Sequence, residues 1–147
     1  MRRLLLAGLI ASSLLVACSG DDGAPEISDV RIGQPTGPNA ALYLTATSNG
    51  APDRLLGATT SVAASVELHE TTMGSDGTMS MARIDRLDLP ADGSLVLEPG
   101  GYHLMLVDAD RLEVGETVEV TLIWETAGEM AVEAEVVDPG ETLGDDH

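Results

Sequence analysis

His69, Met81, His103 and Met105 fall close together in a chain that holds three histidines, six methionines and a single cysteine, Cys18. Neutral imidazole combined with soft thioether, without thiolate and with no carboxylate in the repeating pattern, suits a soft monovalent ion, above all Cu(I). Strand alternation can gather these side chains. In Tyr102-His103-Leu104-Met105-Leu106 the leucines share one face, and His103 and Met105 share the other, about 6.5–7 Å apart along it. In Val66-Glu67-Leu68-His69 the apolar pair points inward, and His69 comes out on the polar side with Glu67. Met79 and Met81 also share a face, and the loop Gly74-Ser75-Asp76-Gly77 folds their strand back beside the one that carries His69. A lone histidine on a strand is usually a surface residue, and methionines usually fill cores. The conjunction outweighs both habits. Four of the five methionines that follow Met1 lie between positions 73 and 105, together with two of the three histidines.

The ends of the chain have their own logic. Arg2 and Arg3 followed by an apolar run from Leu4 to Leu15 read as an export signal, too short to span a bilayer permanently. Leu15-Val16-Ala17-Cys18 resembles the lipobox of bacterial lipoproteins, in which the cysteine is acylated and becomes the first residue. Residues 1–18 are therefore expected to be a lipoprotein signal peptide, with Cys18 as the lipidation site. Acyl chains would hold the protein on a membrane surface. An acylated Cys18 leaves no thiol for a disulfide, a zinc site, a blue-copper centre or a nucleophile.

Without Arg2 and Arg3, five arginines face 25 acidic residues, and the chain has no lysine. Such a surface repels nucleic acid and anionic lipid and modestly concentrates cations. Aromatic residues are limited to Tyr43, Tyr102 and Trp124. Base stacking and aromatic sugar platforms lack material, and the core must be built from Leu, Val, Ile and Ala.

Residues 19–26 (SGDDGAPE) read as a tether, and residues 27–137 as one domain. Through that domain, period-two alternation is broken by turns at Asn49-Gly50, Asp76-Gly77, Asp92-Gly93 and Pro99-Gly100-Gly101, the pattern of an all-β sandwich or barrel. The clearest strands carry Ala40, Leu42, Leu44 and Ala46; Val118, Val120, Leu122 and Trp124; and Met130, Val132, Ala134 and Val136. Shorter ones are expected at Asp53 to Ala58, Ser65 to Glu70, Thr78 to Arg83, Ser94 to Leu97 and Tyr102 to Val107. Helical periodicity is missing, apart from one possible turn at Asp108 to Leu112. Residues 138–147 read as a disordered acidic tail, with His147 beside Asp145 and Asp146.

The segments HETTMGSDGTMSM (69–81) and PGGYHLM (99–105) resemble the periplasmic copper chaperones of the PCu(A)C family. The resemblance extends more loosely over Ala41 to Val137. It implies a cupredoxin-like antiparallel β-sandwich of Greek-key type that binds Cu(I) through a histidine, a methionine and a His-x-Met pair. On these positions the metal ligands are His69, Met81, His103 and Met105. In the family ten residues separate the first histidine from the methionine, and twenty-one separate that methionine from the second histidine. Met81 and His103 have twenty-one between them; His69 and Met81 have eleven, the extra one falling in the Gly74–Gly77 turn. Met79, on the same face, or Met73 can stand in for Met81.

The resemblance implies a copper carrier rather than an enzyme, acting as a monomer tethered to a cell membrane in the periplasm or at the outer surface. Its implied acceptor is the copper centre of cytochrome oxidase subunit II, with a Sco-type thiol protein as a second partner. Two other readings stand beside it: a copper-buffering or resistance lipoprotein, and a metal-free β-sandwich interaction module. A nearby carboxylate, such as Glu67 or Glu70, is expected to support the ligands from behind.

Overall fold

The computed structural model describes residues 23–141; the signal segment, Cys18, the first part of the tether and His147 lie outside them. Ten strands follow in chain order: β1 (Glu26–Gly33), β2 (Ala40–Thr47), β3 (Asp53–Thr60), β4 (Ala63–Met73), β5 (Met79–Ile84), β6 (Leu87–Leu89), β7 (Ser94–Leu97), β8 (Tyr102–Ala109), β9 (Thr117–Trp124) and β10 (Gly128–Val137). The all-β expectation holds among the described residues. They join into one hydrogen-bonded network in the order β5-β4-β8-β2-β1-β10-β9-β3-β6, with β7 also pairing with β2.

Alternation explains how this ribbon closes over a core. Ala40, Leu42, Leu44 and Ala46 of β2 are buried, as are Val118, Val120, Leu122 and Trp124 of β9. Their side chains meet Leu68, Leu104, Leu106, Ala134 and Val136 in a single apolar cluster. With no phenylalanine available, Trp124 is the largest residue in it.

Four sequence expectations need correction. The sheet is not wholly antiparallel: β1 runs parallel to β10, with Arg31 opposite Glu135 and Ile32 opposite Val136. A parallel neighbour needs a long connection, and here the whole domain lies between the two strands. Glu26, assigned to the tether, already belongs to β1 and pairs with Thr47. The turn of helix at 108–112 does not form. β8 continues to Ala109 instead, Asp108 has a φ of 49°, and Leu112 turns into the core. At the C-terminal end, Asp138 to Glu141 fold into a turn, with the Gly140 amide donating to Asp138 Oδ1.

Asp53 locks the far end of the molecule. It is a buried carboxylate that accepts the amides of Arg54 at 2.8 Å and Thr126 at 2.9 Å on Oδ1, and of Ala127 at 2.9 Å on Oδ2. Burial works to raise its pKa, but those amides outweigh it and hold the carboxyl below its ordinary value. Its stabilising contribution is therefore complete above the unfolded pKa of about 3.9 and is lost as pH falls through the lower folded value. Asp53→Ala strands two donors at the β9–β10 turn, Thr126 and Ala127, and the Arg54 amide of β3, and is expected to cost about 3 kcal/mol at pH 7. Urea unfolding checks this, and the deficit should shrink near pH 3; a loss below about 1 kcal/mol would contradict the locking role.

Candidate metal centre

The candidate ligands all belong to three neighbouring strands, with β4 in the middle. β8 pairs with β4 so that His103 stands directly opposite His69 and Met105 opposite Glu67. On the other side β5 places Arg83 opposite His69, Met81 opposite Thr71 and Met79 opposite Met73. Directly opposed residues of an antiparallel pair share a face. Glu67, His69, Thr71, Met73, Met79, Met81, Arg83, His103 and Met105 therefore line one face of the ribbon. It is the face away from Leu68 and Leu104. Tyr43 of β2 joins it, two residues on from Ala41, which pairs with Met105.

His69 is the hub of this face. His103 is its direct neighbour, while Met81 and Met105 are its diagonal neighbours, each about 7–8 Å away between backbones and within reach of long side chains. The two methionines lie on opposite diagonals, one on each flank of His69. The imidazoles are truly together, their ring centroids 5.5 Å apart and their planes inclined at 45°. Met105 is half-buried, whereas Met81 is 61% exposed.

Hydrogen bonding decides which ring nitrogens are available. His69 Nε2 lies 3.0 Å from Glu67 Oε2, and Glu67 Oε1 accepts a bond from Arg83 Nη1 at 3.2 Å. The bond from His69, helped by the charge of Arg83, holds the Glu67 carboxyl below its ordinary pKa against a smaller desolvation effect. An ionised Glu67 fixes the proton on Nε2 and leaves the Nδ1 lone pair open. On β8 the backbone of Gly101 accepts a hydrogen bond from the His103 ring. The Nε2 of His103 is left over. Among the described residues only three buried side-chain nitrogen or oxygen atoms lack a partner: His69 Nδ1, His103 Nε2 and, away in the core, Trp124 Nε1. Two adjacent imidazole lone pairs kept out of water and without donors are what a metal ligand pair requires. The donor set fits a soft ion.

Local sequence explains the positioning. Gly100, at φ 81°, makes the turn before β8, where the Gly101 amide reaches the Glu98 carbonyl at 3.0 Å. The Gly101 carbonyl in turn accepts the Thr71 amide at 2.9 Å. That bond ties the start of β8 to β4 just beyond the histidine pair. Tyr43 covers His103, with ring centroids 6.3 Å apart, and the Arg31 guanidinium sits 5.7 Å above the Tyr43 ring. Burial raises the Tyr43 pKa, with Arg31 opposing it in part.

Two expectations change here. His103, read as a polar-face residue, is only 3% exposed, because Tyr43 and His69 close over it. Its pKa is lowered by that burial first and by the neighbouring His69 second. Glu70 cannot support the ligands: it pairs with Tyr102 and Ala82 on the opposite face, leaving Glu67 alone in that role. Tyr43, Arg83, Thr71 and Gly101 went unrecognised. Only Tyr43 left a trace in the sequence, as a scarce aromatic facing away from Leu42 and Leu44. No group of three His, Cys, Asp or Glu side chains assembles among the described residues.

Comparison with known proteins gives the chain's family and fold relatives. The sequence model of the LpqE-like lipoprotein family matches residues 26–136. The protein named "Putative lipoprotein Lxx21020" of Leifsonia xyli subsp. xyli is 43% identical over 70 residues, which span 46% of this chain and 42% of that protein, less than half its length. The solved copper-bound PCuAC domain from PmoF2 is 31% identical with a TM-score of 0.67, covering 80% of this chain and 95% of that one. The apo PCuAC domain from PmoF1 is 28% identical with a TM-score of 0.67, covering 81% and 98%. CuI-DR1885 from Deinococcus radiodurans is 35% identical with a TM-score of 0.61, covering 74% and 75%. The cupredoxin-like architecture expected from the sequence is the one these domains share.

Proposed function

The chain belongs to the LpqE-like family of PCuAC-type lipoprotein domains, and on that premise we propose that it is an extracytoplasmic carrier of Cu(I). The observation that carries the proposal is the pair of orphaned imidazole nitrogens on rings 5.5 Å apart. The cargo is held by His69 Nδ1 and His103 Nε2, with the thioethers of Met105 and Met81 completing the shell. Four neutral donors favour the reduced, singly charged ion. Glu67, ionised and bonded to His69, supplies the nearest negative charge behind the ligands. The copper-bound state of the PmoF2 domain and the Cu(I) state of DR1885 support the same cargo.

The arrangement also suits transfer. His103 is deep and fixed, while Met81 is exposed and sits on β5, at the edge of the sheet. An acceptor can displace ligands one at a time, starting from the Met81 side. Delivery runs to an apo copper protein, such as the copper centre of cytochrome oxidase subunit II, with a Sco-type thiol protein as a further partner. Lipid on Cys18 keeps the monomeric domain at the membrane surface.

X-ray absorption on the Cu(I)-loaded protein tests the proposal. It should count two nitrogen and two sulfur neighbours. A shell without sulfur, or no retained copper, would overturn it. Proton competition gives a second check. Because a histidine must be deprotonated to bind, affinity should weaken below about pH 6. Affinity unchanged down to pH 5 in a chelator competition would speak against histidine ligation.

A further inference from the structure

Beyond His69 the β4–β5 hairpin continues into solvent, and its tip carries three methionines on one face. Met73 is 70% exposed, Met79 59% and Met81 61%. Their exposure sets them apart from Met130, which packs against the core. Thr72 and Ser80, paired on the other face of the hairpin, are exposed as well. No core packing therefore accounts for three thioethers here.

Their mutual placement is tight. Met73 stands directly opposite Met79. Met81 follows Met79 on the same face at about 6.5–7 Å, and it is the diagonal neighbour of Met73. The loop between them is well tied. The Gly74 amide reaches the Thr78 carbonyl at 2.7 Å, the Gly77 amide reaches the Gly74 carbonyl at 3.0 Å, and the Thr78 amide reaches Asp76 Oδ1 at 3.0 Å. Three flexible thioethers on one small, registered surface can close on a single ion. The only charged residue from Thr71 to Ala82 is Asp76, an anion.

We infer that Met73, Met79 and Met81 form a second, weaker site for a soft monovalent cation at the hairpin tip, distinct from the histidine pair. Neutral sulfur donors select Cu(I) or Ag(I) over hard or divalent ions. Met81 lies within reach of both sets, diagonal to His69 on one side and adjacent to Met79 on the other; with both ions bound it serves the inner one, and Met73 and Met79 hold the outer ion, which makes the tip the weaker site. The tip then serves as an outer station from which an ion reaches the imidazoles. The assignment rests on the Cu(I) carrier reading for its purpose, though its chemistry stands on the methionines alone.

Titration of the mature protein, its Cys18 acylated, with Ag(I), followed by the methionine methyl resonances, tests it. The first equivalent should shift Met105, and a second should shift Met73 and Met79. In Met73→Leu/Met79→Leu the first equivalent should bind within about twofold of wild-type affinity and the second should vanish, a change in capacity from two ions to one. Met73 and Met79 resonances that stay still through several equivalents, or a variant that keeps both equivalents, would overturn the tip site. Failure of the carrier reading looks different: Met105 would not respond to any amount of Ag(I).

Discussion

His103→Leu is expected to abolish useful Cu(I) binding while leaving the metal-free domain at least as stable as the wild type. The two effects have one origin. The His103 ring is 3% exposed, and its Nε2 has no hydrogen-bond partner. A buried polar atom left unpaired costs about 1–3 kcal/mol, and an apolar side chain of similar size removes that cost. The bond from the ring to Gly101 is lost in exchange, so the net gain should be up to about 1 kcal/mol. Binding moves the other way. Loss of even an outer-shell partner weakens metal sites about 10–100-fold, so loss of a direct nitrogen should exceed about a hundredfold. The pH dependence gives an independent sign. The folded pKa of His103 is depressed, so its contribution to stability is complete above the unfolded value of about 6.5 and is lost as pH falls toward the folded value. The stability advantage of His103→Leu should therefore widen from pH 7 to pH 5. Chelator competition and urea unfolding on both proteins read these changes. Affinity within tenfold of wild type would remove His103 from the ligand set.

Local pattern carries some elements of this fold and not others. β2 and β9 were legible because each buries every second residue, and a leucine or valine at such a position has only one face to choose. β7 is found at its expected limits, Ser94–Leu97. β1 did not declare itself, because its pairing with β2 slips between Ser28 and Arg31, where Asp29 takes a φ of 53°. That bulge sets Ile27, Val30 and Ile32 out of phase with any simple alternation. β6, Leu87–Leu89, is too short to show a period. The parallel pairing of β1 with β10 was out of reach for a different reason: strand order is a property of the assembled sheet.

The same division runs through the metal centre. Alternation put His103 and Met105 on one side of β8, and His69 and Glu67 on one side of β4, which the registers bear out. That His69 faces His103 depends on which strands become neighbours and in what register, and neither can be read from either segment alone. Burial of His103 follows from Tyr43, which lies sixty residues earlier in the chain. The Glu67 bridge between His69 and Arg83 likewise needs β4 and β5 in register. Residue type announced the chemistry; sheet assembly selected the nitrogens that perform it.

The double substitution Met81→Leu/Met105→Leu should weaken Cu(I) binding about a hundredfold or more, roughly 3 kcal/mol, with unequal shares from the two sites. Leucine keeps the volume of methionine, so folding should change by less than about 1.5 kcal/mol, and the comparison isolates the sulfur. Met105 is half-buried, is a diagonal neighbour of His69 and follows His103 on the same face of β8, and no other methionine is placed to replace it. Met105→Leu alone should therefore cost about tenfold or more, about 1.4 kcal/mol. Met81 is exposed, and Met79 lies next to it on the same face with Met73 opposite. Met81→Leu alone should cost only a few-fold, because a neighbouring thioether can take its place. Equal losses from the two single variants would mean that the hairpin methionines do not substitute for one another. Wild-type affinity in the double variant would mean that the imidazoles bind alone, and the preference for a soft ion would then lose its chemical basis.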